Sequence, residues 1–254
     1  MERVQQDREG HEAGAQQQHP SSTAYGDPSG GHGAYDFAHS TASANTNECW
    51  EYLSREEVAM AYLKFDLRKL EKLNDPARLE QLPPEAMWRA VGDPSIRVMV
   101  EIGAGTGFFA RRFCRMSKHG LVYACDLEDT MIRWMRENLP EVAEGCVIPV
   151  KSEEGRVPLA GELARLVYMI NLHHELVDPQ AVYREALRLL EPSGRLLVVD
   201  WKKEETPKGP PVGVRAPLDA LLESIRSAGF EEVGARDLLE WHNLVTATKP
   251  ARES

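Results

Sequence analysis

Length, composition and charge narrow the classes of protein to which this chain can belong. The 254 residues are 42% hydrophobic, which suffices for one α/β domain with a sizeable core and additional segments. The formal net charge of −10 disfavours nucleic acid as a partner, because no dense run of lysine and arginine offsets it. No apolar stretch approaches the roughly 20 residues that span a bilayer, and the first residues lack a secretion signal, so we expect a cytoplasmic protein without membrane contact.

The first segment in chain order, residues 1–48, is rich in Gln, Ser, Gly, Ala and His. After the initiating Met its only large aliphatic or Phe side chains are Val4 and Phe37. Such a segment cannot bury enough apolar area to offset its ordering entropy, so we predict a disordered tail. The histidines of this segment are too dispersed for a fixed metal site. No two cysteines of the whole chain form a CxxC pair, so no metal is expected.

Residues 49–96 are predicted to form a helical lead-in or cap. Apolar residues from Leu53 to Leu73 recur at helical spacing, with Ser54 as a candidate N-cap, and Asn74-Asp75-Pro76 ends that helix. A second helix is predicted to start at Pro83-Pro84 and to end at Gly92. These helices either cap the opening of a ligand site or merely pack on the sheet.

Residues 97–249 alternate predicted strands with predicted helices. The near-continuous apolar strands joined by helices predict a parallel sheet covered on both faces. The fold class is therefore α/β: a Rossmann-like, doubly wound, mostly parallel seven-stranded sheet with an antiparallel C-terminal hairpin and an N-terminal helical cap. The predicted strands are 97–102, 121–126, 146–150, 166–170, 195–200, 232–237 and 244–248, and the clearest helices are 179–190 and 218–228.

A glycine-rich motif, Glu101-Ile-Gly-Ala-Gly-Thr-Gly107, follows the first predicted strand. Ligands of open α/β sheets bind beyond the carboxyl ends of the strands, where this turn lies. A nicotinamide or flavin dinucleotide site requires G-x-G-x-x-G or A, which would place a small residue at the position of Phe108. A dinucleotide oxidoreductase is therefore disfavoured.

The motif resembles motif I of class I S-adenosylmethionine-dependent methyltransferases, and more closely the group that includes the ubiquinone and menaquinone biosynthesis methyltransferases. The resemblance covers roughly residues 97–202. It implies S-adenosyl-L-methionine as the cofactor. By this resemblance Glu101 orients the methionine end of the cofactor, and the turn that binds the cofactor consists of Gly103, Ala104, Gly105, Thr106 and Gly107. Arsenite methylation, which similar proteins perform with a set of thiolates, is disfavoured because Cys114, Cys125 and Cys146 fall in different elements.

Two further segments are expected to bind the nucleoside part of the cofactor. Asp126 ends the second strand about 20 positions after the glycines, where a carboxylate can bond both ribose hydroxyls, although it could instead cap a helix. Leu127 and Met131 are expected in the same site. The segment 151–159 is similar to the adenine-binding segment of the family, which implies that Glu153 or Glu154 contacts adenine unless both are exposed loop carboxylates.

The segment after the fourth strand, Asn171-Leu-His-His-Glu175, is similar to the family segment beside the transferred methyl. Asn171 is expected to contact the cofactor. His173 or His174 is a candidate general base, because an unperturbed imidazole titrates close to neutral pH, although one of them could simply brace the next helix.

The loop 200–215 looks like one that follows strand five in a subgroup of small-molecule methyltransferases. Trp201 and Arg215 are therefore candidate substrate residues, with Arg215 either holding an anionic acceptor or paired within a solvated connector.

The predicted function is methyl transfer from S-adenosylmethionine to a small-molecule acceptor by in-line displacement. The alternative is a non-catalytic module that binds S-adenosylmethionine or S-adenosylhomocysteine and acts through a protein partner. The sequence predicts no oligomeric state.

Overall fold

The computed structural model describes residues 68–118 and 120–252. The predicted disordered tail and most of the predicted first helix, including Ser54, lie outside these residues. Within them, seven strands form one sheet, the number that the sequence predicts, and they lie in the order β3-β2-β1-β4-β5-β7-β6. The strands are β1 (Val98–Ile102), β2 (Leu121–Asp126), β3 (Val147–Lys151), β4 (Ala164–Ile170), β5 (Leu190–Trp201), β6 (Glu231–Arg236) and β7 (His242–Thr248).

The first five strands are parallel, and β7 pairs antiparallel with both β5 and β6. The described residues form a Rossmann-like α/β fold with an antiparallel C-terminal hairpin. Residues 68–73 are helical and precede the helices α1 (Arg78–Gln81), α2 (Pro84–Val91), α3 (Ala110–Met116), α4 (Asp129–Asn138), α5 (Pro140–Ala143), α6 (Pro179–Leu189) and α7 (Leu218–Ser227).

Each face of the sheet carries its own hydrophobic core. Side chains along a strand point alternately to the two faces, so apolar residues at successive positions are buried on opposite sides. In β1 and β4, Met99 and Leu166 belong to one core while Val100 and Val167 belong to the other, and all four are 0% exposed. This arrangement explains why the central strands read as continuous apolar runs.

Several element ends agree closely with the sequence. The helix predicted from Pro83-Pro84 to Gly92 is α2, and Gly92 ends it in a left-handed conformation with φ of 67°. Asp178 caps α6, since its side chain accepts a hydrogen bond from Ala181 N. That helix, which the sequence predicts over 179–190, ends at Leu189, because Leu190 already belongs to β5 and pairs with Ala164 of β4.

The order of the strands creates a crevice between β1 and β4. Chain connections run from β1 towards β2 and β3 on one side and from β4 towards β5 on the other, so the direction of winding reverses there. In open α/β sheets, the carboxyl ends of the strands at such a reversal form the ligand site. No helix among the described residues is long and apolar enough to cross a membrane.

Candidate functional site

The glycine turn after β1 is tight and closely packed. Gly103 N and Ala104 N both donate to Cys125 O at 2.9 Å, which joins the turn to the neighbouring end of β2. Gly103 has φ of +73°, and a Cβ there would lie 2.6 Å from Leu172 Cδ1. The positive φ therefore favours glycine at this position, and a larger residue would also have to displace the Leu172 side chain.

Two cavities of about 180 and 240 Å³ lie beyond the carboxyl ends of the strands. The first is formed by the glycine turn and the ends of β1, β2 and β4, and the second by the segment 72–82, the end of β4 and the loop after β5. Residues that line both are Leu73, Arg78, Asn171 and Glu175. The two cavities therefore meet at a common boundary.

The first cavity brings together most of the residues expected to bind the cofactor. Thr106 and Gly107 are the two that do not line it. Thr106 is 1% exposed, and Gly107 packs beneath the turn, where a Cβ would lie 2.7 Å from Leu139 Cδ1. The expected residues that do line it are Glu101, Gly103, Ala104, Gly105, Asp126, Leu127, Met131, Glu153, Glu154 and Asn171.

The Asp126 carboxylate lies at the end of β2 and is hydrogen-bonded to the glycine turn. Its Oδ2 accepts from Gly105 N at 2.6 Å and its Oδ1 from Glu128 N at 2.9 Å. Burial raises the pKa of Asp126, and these two backbone hydrogen bonds partly counter that rise. A carboxylate has capacity for about four hydrogen bonds, so acceptor positions remain for a ligand in the cavity.

Glu101 is the most deeply buried acid of the first cavity. It is 2% exposed, and its Oε2 accepts a hydrogen bond of 3.2 Å from the Tyr168 hydroxyl. Burial raises the pKa of Glu101 to about 8, although Tyr168 and the positive charge of Arg78 oppose the rise. The carboxyl group is therefore mostly neutral at pH 7 in the protein without a ligand.

The two candidate adenine residues have different surroundings. Glu154 Oε1 accepts from Val177 N at 2.9 Å and from Asp178 N at 3.3 Å, so this side chain ties its loop to the start of α6. Glu153 is held through its backbone, which pairs with Arg156. Both residues are exposed and line the first cavity, so the adenine-contact and loop-carboxylate alternatives both stay open.

Asn171 occupies the boundary between the cavities in a strained conformation. Its φ is +58°, in the left-handed region that residues other than glycine seldom adopt. Its Oδ1 is buried and has no hydrogen-bond partner among the described residues. Strain and an unsatisfied buried acceptor are both features that functional sites retain.

His174 lines the second cavity and is oriented by a buried acid that the sequence analysis did not select. Its Nδ1 lies 2.8 Å from Asp200 Oδ1, and Asp200 is 3% exposed. Burial disfavours the charged imidazole, but the hydrogen bond and charge of Asp200 prevail, so the pKa of His174 is raised. Since the carboxylate accepts the Nδ1 proton, Nε2 is the nitrogen with a lone pair in the neutral ring.

His173 has a different environment and lines neither cavity. Its Nδ1 lies 2.8 Å from the Tyr183 hydroxyl, and the two rings are stacked with centroids 5.8 Å apart. Burial lowers the pKa of His173. The contact with Tyr183 joins the segment after β4 to α6, which corresponds to the bracing alternative for one of the two histidines.

The loop after β5 places one of its two candidate residues at the second cavity. Trp201 lines it, whereas Arg215 is 4% exposed and does not. The Arg215 guanidinium donates to the carbonyl oxygens of Lys202, Glu204 and Pro210 at 2.6–3.1 Å. Arg215 therefore holds the loop in place instead of facing an acceptor.

His242 packs behind Trp201 and leads to a prediction about acid stability. It is 1% exposed, its ring centroid is 4.1 Å from that of Trp201, and burial lowers its pKa to about 4. Between about pH 6.5 and pH 4 the unfolded chain binds a proton that the folded chain excludes, so the free energy of unfolding falls as the pH falls. His242 alone is expected to lower the free energy of unfolding by roughly 2 kcal/mol between pH 7 and pH 5.

We expect His242→Phe, which keeps a ring against Trp201, to make the free energy of unfolding less dependent on pH in this range. Urea titrations of both proteins at pH 5 and pH 7 measure the difference. An equal loss of stability in the two proteins would contradict the assignment.

Comparisons with known proteins show the family to which this fold belongs. A family model described as a methyltransferase domain matches residues 100–198. The solved structure of an S-adenosylmethionine-dependent methyltransferase from Aquifex aeolicus is 30% identical, covers 72% of this chain and 97% of its own, and superposes with a TM-score of 0.66. Human N-acetylserotonin methyltransferase, at 14% identity, has a TM-score of 0.61 over 78% of this chain and 61% of its own, which shows the fold alone.

A ubiquinone/menaquinone biosynthesis C-methyltransferase from Laribacter hongkongensis is 29% identical over 119 residues, or 46% of this chain and 48% of the relative. The chain thus spans about half the length of such relatives. It belongs to the class I S-adenosylmethionine-dependent methyltransferases, whose cofactor is S-adenosyl-L-methionine.

Proposed function

We propose that the chain transfers a methyl group to a small-molecule acceptor bound in the second cavity. The observation that carries the proposal is the His174–Asp200 pair at this cavity, which shares a boundary with the cavity of the glycine turn. A base beside an acceptor site is what methylation of a hydroxyl, amine or thiol requires when the nucleophile must lose a proton.

The residues of the first cavity fit the proposed cofactor. Asp126 has acceptor positions for ribose hydroxyls, and the exposed Leu127 side chain gives an apolar contact for adenine. Glu101 offers a buried carboxyl group to an ammonium, and Asn171 Oδ1 is an acceptor without a partner among the described residues. When bound, S-adenosylmethionine supplies an electrophilic methyl group on its sulfonium.

The protein would then act mainly by positioning. Alignment of donor and acceptor in a dry site can supply roughly 7 to 11 kcal/mol of the barrier reduction. Trp201 forms a wall of the second cavity and is fixed between His242 and the loop that Arg215 holds. His174 would take the acceptor's proton at Nε2, and the Asp200 carboxylate would stabilise the imidazolium that results.

Glu101 is expected to release a proton when the cofactor binds. Its carboxyl is mostly protonated at pH 7, and an ammonium beside it would favour the charged form. Calorimetric titration with S-adenosylhomocysteine at pH 7 in buffers of different ionisation enthalpy should therefore show release of up to about one proton. Glu101→Gln should remove that release, and an undiminished value in this variant would contradict the role of Glu101.

The proposed function is tested by measuring S-adenosylhomocysteine formation by mass spectrometry. The protein is incubated with S-adenosylmethionine and a panel of small hydroxyl, amine, thiol and carbon acceptors. We expect at least one acceptor to give turnover that His174→Ala strongly reduces. Tight cofactor binding without turnover on any acceptor would favour the non-catalytic module that acts through a protein partner.

A further inference from the structure

Arg78 is a half-buried cation at the boundary of the two cavities, and the sequence analysis assigned it no role. It begins α1 and lines both cavities. Its Nη1 donates to Leu73 O at 2.5 Å, and its Cζ lies 4.8 and 5.0 Å from the ring centroids of Phe108 and Phe109. The guanidinium is therefore fixed in place, and Nη1 is the one nitrogen of Arg78 that donates a side-chain hydrogen bond among the described residues.

This positive charge has no ion-pair partner within the part of the chain that the structure describes. Burial lowers the pKa of Arg78 to about 10, so the guanidinium stays charged at neutral pH. Its strongest electrostatic partner is Glu101, whose own carboxyl is mostly neutral at pH 7. Asp75 also contributes, but it is exposed and accepts a hydrogen bond from Ala77 N. A partly buried cation at a cavity without an ion pair favours an anionic ligand, so we expect the ligand to carry an anionic group near Arg78.

The neighbourhood of Arg78 indicates which anion fits. A planar guanidinium binds a carboxylate through two parallel hydrogen bonds. A carboxylate therefore fits a guanidinium better than a single-atom anion does. Glu101 and Arg78 line the same cavity. An acid and a guanidinium that line one cavity match an α-amino acid group, which carries an ammonium and a carboxylate on the same carbon.

We propose that Arg78 is a carboxylate-binding residue at the boundary of the two cavities. The assignment rests on the proposed function. The methionine end of the cofactor is the favoured source of the carboxylate, because the ammonium of the same group would face Glu101. An acid acceptor in the second cavity is the other source of the same chemistry.

The test compares two ligands that differ by one carboxylate. S-adenosylhomocysteine carries it, and S-adenosyl-3-thiopropylamine keeps the ammonium but lacks it. Calorimetry with the wild-type protein should show roughly 10- to 100-fold tighter binding of the first compound. Arg78→Gln should bring the ratio close to one while leaving the affinity for the thiopropylamine unchanged, which also shows that the variant is folded. Arg78→Lys should keep part of the preference, because the lysine ammonium keeps the positive charge but lacks the two parallel donors of the guanidinium.

Arg112→Gln is the matched control. Arg112 also lies over the Phe108 ring, with Cζ 3.8 Å from its centroid, but it lines neither cavity. This variant should keep the wild-type ratio.

The remaining outcomes separate the two sources and the two proposals. If the ratio survives in Arg78→Gln, benzoate is titrated into protein saturated with S-adenosylhomocysteine. Binding to the wild type and not to Arg78→Gln would assign the carboxylate to the acceptor. If Arg78→Gln keeps both the preference for S-adenosylhomocysteine and the wild-type behaviour towards benzoate, the role of Arg78 is overturned while the proposed function stays intact. Failure of the wild-type protein to bind S-adenosylhomocysteine would contradict the proposed function and this assignment together.

Discussion

Asp126→Ala is expected to weaken binding of S-adenosylhomocysteine about 100-fold, which corresponds to roughly 3 kcal/mol. The carboxylate is placed to accept hydrogen bonds from ribose hydroxyls, and hydrogen bonds to a charged acceptor contribute roughly 1.5–3 kcal/mol each. Part of this energy is offset, because without a ligand the same carboxylate already bonds Gly105 N and Glu128 N. Calorimetric titration of the variant and the wild type measures the loss.

Two further variants separate ribose binding from a general effect of lost charge or a distorted turn. Asp126→Asn keeps one acceptor oxygen and the shape of the side chain, so we expect an intermediate loss. Asp129→Ala removes an acid three positions along that is exposed and does not line the cavity, and its affinity should equal that of the wild type. An Asp126→Ala affinity within about threefold of the wild type, a difference of roughly 0.7 kcal/mol, would contradict the ribose assignment.

The second large effect is expected at His174. With an acceptor identified from the panel, His174→Ala should lower kcat roughly 100- to 10,000-fold if proton removal accompanies methyl transfer. His173→Gln is the matched control, since His173 contacts Tyr183 and lines neither cavity. We expect His173→Gln to affect stability more than kcat. Equal losses of kcat in the two variants would contradict the choice of His174 as the base.

The pH dependence of kcat tests the role of Asp200. A general base acts in its neutral form, so the rate should rise with pH through the pKa of His174, which Asp200 holds above its ordinary value of 6.5. Asp200→Asn removes that charge, so the rise should move to lower pH while the plateau rate falls. A purely structural role for Asp200 would lower the rate without moving the pH of the rise.

The sheet could be predicted from the sequence because most of its strands are short runs of apolar residues that can be recognised without knowledge of distant contacts. Nearly continuous apolar runs such as Val98–Ile102, which Glu101 alone interrupts, can be buried only between two layers of helices, and the glycines mark the turn after β1. Asp126 and His174 could be selected as candidates from the sequence because strand ends and the residues just after them meet at one edge of a parallel sheet. Position along the chain is enough for such inferences.

The residues that the sequence did not indicate depend on contacts between distant segments. Asp200 meets His174 because β5 lies beside β4, and a strand-end carboxylate there was the one available signal. Arg78, the first residue of α1, lines both cavities with its guanidinium over the rings of Phe108 and Phe109, and no periodicity of the sequence indicates that contact. Arg215 lies away from the acceptor cavity because several carbonyl oxygens of its own loop surround the guanidinium.

The most direct test of the account is a crystal structure of the protein with S-adenosylhomocysteine. We predict that the nucleoside occupies the first cavity, with the ribose hydroxyls within hydrogen-bond distance of Asp126. The sulfur should then face the second cavity and His174. A ligand bound elsewhere, or one whose sulfur points away from the second cavity, would contradict the proposed division into a donor site and an acceptor site.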